Sequence, residues 1–177
     1  MTDGEESSDP LRLIAKICII LGIASLVRFG PELVIVSVNS TSGSYYAVLA
    51  QDIVIALLWL KSGLALRKRS FRAIGFAAVC GAAILAHGAV WAYIFGKEIL
   101  KQWTWISRDY SAMAFMGSRM LLYAIEFGFW PFALLRFIKL TEEGSPTLKG
   151  SVIRAIVGAF LIAGALQTIL FFTIVHR

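Results

Sequence analysis

The chain has 177 residues, of which 58% are hydrophobic and only 16% charged, and its mean hydropathy is +0.76. Soluble domains run nearer to about 45–50% apolar and about 25% charged, so a water-soluble globule, a disordered chain, a coiled coil and a disulfide scaffold are excluded, and an all-α integral membrane helix bundle remains. The net charge of +6 gathers at the ends of apolar segments rather than on a basic face with interleaved aromatics, which points to membrane orientation and away from nucleic acid.

Residues 1–11 are polar and acidic and are expected to form a disordered cytoplasmic tail. They lack the basic start and small-residue cleavage site of a secretory signal. The membrane domain is expected over 12–177. Its first apolar segment, 12–38, contains Arg28, Gly30, Pro31 and Glu32. It is expected to be one tilted helix kinked at Gly30-Pro31, the alternative being a short helix followed by a re-entrant piece. Four more segments follow at 45–66, 73–95, 112–138 and 152–175. Each has the length of roughly 20 residues that a spanning helix needs. The alternation over about ten residues that marks a transmembrane strand is absent.

The connections suggest an orientation. RKRSFR at 67–72 holds four basic residues in six, whereas NSTSGS at 39–44 is uncharged. The rule that cationic loops stay in the cytoplasm puts the N-terminus inside and His176-Arg177 outside, in a plasma or bacterial inner membrane. A loop at 97–111 mixes Lys97, Lys101 and Arg108 with Glu98 and Asp109, and its Trp103, Trp105 and Tyr110 suit an interfacial aromatic belt. A second polar loop is expected at 139–151. Asn39-Ser40-Thr41 fits a glycosylation acceptor by pattern alone.

Small residues recur at four-residue spacing in segment three (Ala73, Ala77, Gly81, with Ala78, Ala82 and Ala86 beside them) and in segment five (Ala155, Ala159, Ala163). Such faces let helix backbones approach closely in lipid. Segments three and five are expected to pack through them. The same faces serve equally for a membrane-protein partner or for a second copy in a homo-oligomer. The lipid bilayer is the general partner.

Ionisable residues inside a bilayer cost at least a few kcal/mol each, so Arg28, Glu32, Asp52, His87, Arg119 and Glu126 demand an explanation. Asp52, His87 and Arg119 lie about 10–12 Å from the outer ends of their segments at 1.5 Å per residue. Segment four adds a face: Arg119, Tyr123, Glu126 and Trp130 are spaced so that all four point the same way. Pro131 follows and releases the carbonyl of Phe127 from its helical bond.

Two explanations compete. In the first the charges pair internally, Arg28 with Glu32 and Arg119 with Asp52, Glu126 or both; two arginines against three carboxylates leave −1. In the second, Arg28, Glu32, Asp52, His87, Arg119, Tyr123 and Glu126 line a polar site that binds a solute or relays a proton or cation.

Other chemistry is poorly supported. His87 and His176 are the only histidines, and the second is terminal, so a haem held by two histidines is not expected. No zinc-protease, phosphate-loop, nucleophile-elbow or dinucleotide motif occurs. Cys18 and Cys80 sit within apolar segments, without a C-x-x-C pair. No cofactor or metal is expected. The chain is therefore expected to be a small polytopic membrane protein without catalysis of its own, acting as an accessory subunit or as a binder or conductor of a small polar solute or ion. The alternative is a membrane-embedded enzyme acting on a lipid-like substrate through Glu126, His87 and Arg119.

Overall fold

The structure, a computed structural model, describes residues 10–39, 43–106, 108, 110–144 and 146–174. It is all-α. Five helices occur in chain order: α1 Pro10–Asn39, α2 Gly43–Leu66, α3 Phe71–Ile106, α4 Tyr110–Gly144 and α5 Pro146–Ile174. All five are long and apolar enough to cross a membrane. Among the described residues there is no strand.

The first segment is a single helix. α1 continues through Pro31 to Asn39. The expected polar loops at 97–111 and 139–151 are corrected: α3 runs on to Ile106, α4 to Gly144, and α5 begins at Pro146. The reason is local. No glycine or proline interrupts 97–106, and Lys97, Glu98, Leu100, Lys101 and Gln102 are all good helix formers. Polarity marks where a helix leaves the lipid, not where it ends. α3 has 36 residues and α4 has 35, so each is over 50 Å long, roughly 1.5 Å per residue, against a hydrocarbon core of about 30 Å.

The turn between α2 and α3 has defined chemistry. Lys68 N donates to Ala65 O and Arg69 N to Leu66 O, closing the last turn of α2. Arg69 takes a left-handed backbone conformation, with φ 50°. Ser70 then caps α3, its Oγ accepting from Ala73 N at 3.2 Å. Between α4 and α5 only Ser145 intervenes. Pro146 occupies the first position of α5, where its missing N–H costs nothing.

The chain forms two compact units, Met1–Gly81 and Ala82–Arg177, divided within α3. In the first, α1 and α2 pack as a tight antiparallel pair at two glycines. A Cβ on Gly22 would lie 2.9 Å from Leu60 N, and one on Gly63 would lie 2.7 Å from Ala15 O. These are backbone contacts, so neither position has room for a side chain, which is the close approach that helix association in lipid exploits. Ile14, Cys18, Leu49, Ile55 and Trp59 are buried in the same unit. The α3 residues Ala73, Ala77, Ala78, Ala82 and Ala86 are all buried.

In the second unit the expected contact between alanine faces of α3 and α5 is replaced. Ala155 is exposed, and Ala159 and Ala163 are half-buried. The described contacts between α3 and α5 run through Trp91, which donates its indole N–H to Gln167 Oε1 at 2.8 Å and meets the Phe171 ring edge-on at 6.3 Å. The reason is helix phase: α5 turns Gln167 inward and leaves Leu161, Ile162, Leu166 and Ile169 more than half exposed. Only 6% of the α5 span is buried. An apolar surface of that extent is a liability in water and the natural exterior in lipid.

Candidate functional site

The candidate residues fall into two sets, one in each unit. In the first, Arg28 of α1 reaches Asp52 of α2, Nη2 to Oδ2, at 3.4 Å. The same glycine contacts fix this register, since Gly22 meets Leu60 and Gly63 meets Ile19 along one antiparallel pair. Asp52 is buried, and Arg28 keeps 19% of its side-chain exposure. The expected Arg28–Glu32 pair falls on a side chain outside the described residues. Asp52, expected as one partner of Arg119, is engaged by Arg28.

The second set is built by α3 and α4. His87, Trp91 and Phe95 recur every four residues on α3 and share one face. Arg119, Tyr123 and Glu126 form the opposing face of α4, and with Trp130 they are all essentially inaccessible. His87 Nδ1 lies 3.0 Å from Glu126 Oε2, with both side chains almost fully buried. Glu126, expected to neutralise Arg119, thus meets a histidine across the helix pair. Arg119 Nη1 donates to Tyr123 Oη at 3.4 Å, and its guanidinium stands 5.5 Å from the Phe95 ring centroid. That distance suits a cation held over an aromatic face, worth more when desolvated. The Tyr123 ring meets His87 edge-on at 5.5 Å and Phe95 at 5.7 Å.

Each link in this row differs chemically from the next. Arg119 keeps its charge under all ordinary conditions. Tyr123 accepts from it and carries a hydroxyl hydrogen of its own. The contact between His87 Nδ1 and Glu126 Oε2 holds one proton: either the imidazole N–H donates to the carboxylate, or the carboxylic acid donates to the ring nitrogen. Glu126 Oε1 is buried and has no hydrogen-bond partner among the described residues. A buried oxygen left in that condition costs about 1–3 kcal/mol.

Three contributors were not singled out from sequence. Gly88 permits the approach of α3 to Glu126; a Cβ there would lie 2.9 Å from Glu126 Cβ and 3.0 Å from its Oε2. Its signal is a glycine beside a histidine within an apolar segment. Gln167 closes on Trp91 and was visible as an amide in an otherwise apolar span. Phe95 gave no signal apart from its spacing from His87. Among the described residues no group of three or more His, Cys, Asp or Glu is placed to hold a metal ion. Cys18 and Cys80 are both buried free thiols.

Comparison with protein-family models, with characterised proteins and with solved structures finds no match to this chain.

Proposed function

We propose that this chain is a five-span integral membrane protein, with its N-terminus in the cytoplasm and its C-terminus outside, that binds and exchanges a proton at the His87–Glu126 pair. The observation that carries this is the 3.0 Å contact between two titratable groups, both essentially inaccessible to solvent, within helices long and apolar enough to span a membrane. Intramembrane ionisable residues are expensive to keep and recur in proton relays. Histidine is the side chain whose charge changes most readily near neutral pH. Tyr123 and Arg119 continue the row beside it: the Tyr123 ring packs edge-on against His87, and its hydroxyl accepts from Arg119. Proton exchange at such a site drives either movement of a small polar solute or ion, or a change of shape passed to a partner subunit.

The test reads the proton directly. Infrared titration of the protein in nanodiscs should show a pH-dependent carboxyl band that disappears in Glu126→Gln, which keeps the side-chain shape but cannot ionise. Liposomes carrying the parent and a trapped pH dye should respond to an imposed pH gradient faster than liposomes carrying Glu126→Gln. If no carboxyl band depends on Glu126 and the two liposome populations respond alike, the pair is a structural tie and the proposal fails.

A further inference from the structure

In the first unit, the start of α1 and the end of α2 enclose a pocket of about 560 Å³, lined by Arg12, Ala15, Lys16, Leu66, Arg67 and Arg69. We propose that it binds the phosphate of an anionic lipid headgroup. Four of its six lining residues are cationic, and among the described residues no carboxylate lines it. Ala15 and Leu66 are buried and form an apolar floor, while the four cations are exposed at the rim. A volume of roughly 300–1,000 Å³ with a few convergent polar groups is the ordinary size of a small-ligand site.

The position selects the ligand. The candidate spans run Pro10–Pro31 and Leu49–Leu66, so the pocket lies where both helices leave the hydrocarbon, at headgroup level. Basic pockets between spanning helices at that level suit phosphorylated headgroups. Guanidinium groups match phosphate oxygens in geometry as well as charge. The start of α1 adds its positive dipole end to the same place. Arg69 holds a backbone conformation that glycine adopts without cost; the guanidinium is what glycine could not supply. A loop that only fixed orientation would need its charges in number, not gathered from two helices around one concavity.

The inference rests on the membrane reading of the chain and is independent of the His87–Glu126 proton. Full-length protein in nonionic detergent is titrated with short-chain phosphatidylglycerol, with phosphatidylcholine of the same chain length, and with inorganic phosphate. Retained lipid is read by native mass spectrometry and stabilisation by Tm. The pocket variant is Lys16→Gln with Arg67→Gln; the control, Lys68→Gln with Arg72→Gln, removes equal charge from residues that do not line the pocket. Phosphatidylglycerol should bind the parent and the control alike, and bind the pocket variant roughly 25-fold more weakly, from about a fivefold loss per cation. Both variants keep the buried core and should fold, as unchanged Tm without lipid will show. The Glu126 infrared band should be unchanged in the pocket variant, so failure here and failure of the proton site are separable. If inorganic phosphate stabilises the parent with the same residue dependence and the lipid adds nothing, the phosphate site stands but its ligand is soluble and the lipid assignment is overturned. If phosphatidylcholine binds as tightly as phosphatidylglycerol, or the control loses as much affinity as the pocket variant, there is no phosphate-selective pocket.

Discussion

Gly88 of α3 faces Glu126 of α4 so closely that even a methyl group between them would touch the carboxylate, 3.0 Å from Oε2. The glycine therefore sets the distance between the two helices at the point where His87 and Glu126 meet. Gly88→Ala should cost about 1–3 kcal/mol, the range for overpacking a filled interior. It should also disturb the infrared signature of Glu126. Gly75→Ala, in the same helix with open space around it, should be neutral or stabilising by up to about 1 kcal/mol through helix propensity. Thermal melts of the two variants in detergent check the contrast; equal Tm values would show that the α3–α4 spacing is set elsewhere.

The Arg28–Asp52 pair should behave as a coupled unit. Removing one partner of a buried pair costs about 3–5 kcal/mol, and the residual exposure of Arg28 places Arg28→Leu or Asp52→Leu at or below the bottom of that range. The double variant should recover part of the loss. A double-mutant cycle read by unfolding should give a coupling of about 0.5–3 kcal/mol. Additive losses would mean that the two side chains act separately.

Gln167 is the polar tie of an otherwise apolar α5. Gln167→Leu removes the acceptor of the Trp91 indole N–H and should cost about 0.6–1.7 kcal/mol, the range for interhelical hydrogen bonds in lipid. Adding Trp91→Phe should cost less than Trp91→Phe alone costs the parent. Melting curves of the single and double variants decide this.

Orientation is checked by cysteine labelling. A membrane-impermeant thiol reagent applied from outside should modify Ser42→Cys and spare Ser70→Cys. The native Cys18 and Cys80 are buried and should contribute little background. Labelling of Ser70→Cys from outside would invert the topology.

Five helices were legible because apolar runs of spanning length have few alternatives in this composition. Their ends were not. Lys97 and Lys101 read as loop residues from their charge, yet nothing in 97–106 breaks a helix, and polarity and helicity are independent properties. The buried face of α4 was also legible, since Arg119, Tyr123, Glu126 and Trp130 follow helical spacing within one element. Partners across elements were not, because a spacing rule says nothing about register between helices. Register here depends on glycines that carry no chemistry: Gly22 and Gly63 set Arg28 against Asp52, and Gly88 sets His87 against Glu126. The packing of α5 departs from its sequence pattern for a related reason. Its alanines look like a contact face in sequence, but the single amide, Gln167, fixes which side of the helix turns inward.

The connection between α4 and α5 bears on how these two helices would enter a bilayer. One residue, Ser145, stands in sequence between Gly144 and Pro146, so on the membrane reading α4 and α5 would insert as a linked pair. α4 carries Arg119 and Glu126, and its span has the lower hydropathy of the two, 1.5 against 2.2; the more lipophilic α5 would then favour entry of the pair as a whole. A chain ending just after Gly144 should integrate less readily than one carried through α5, which a membrane-integration assay of the two lengths reads.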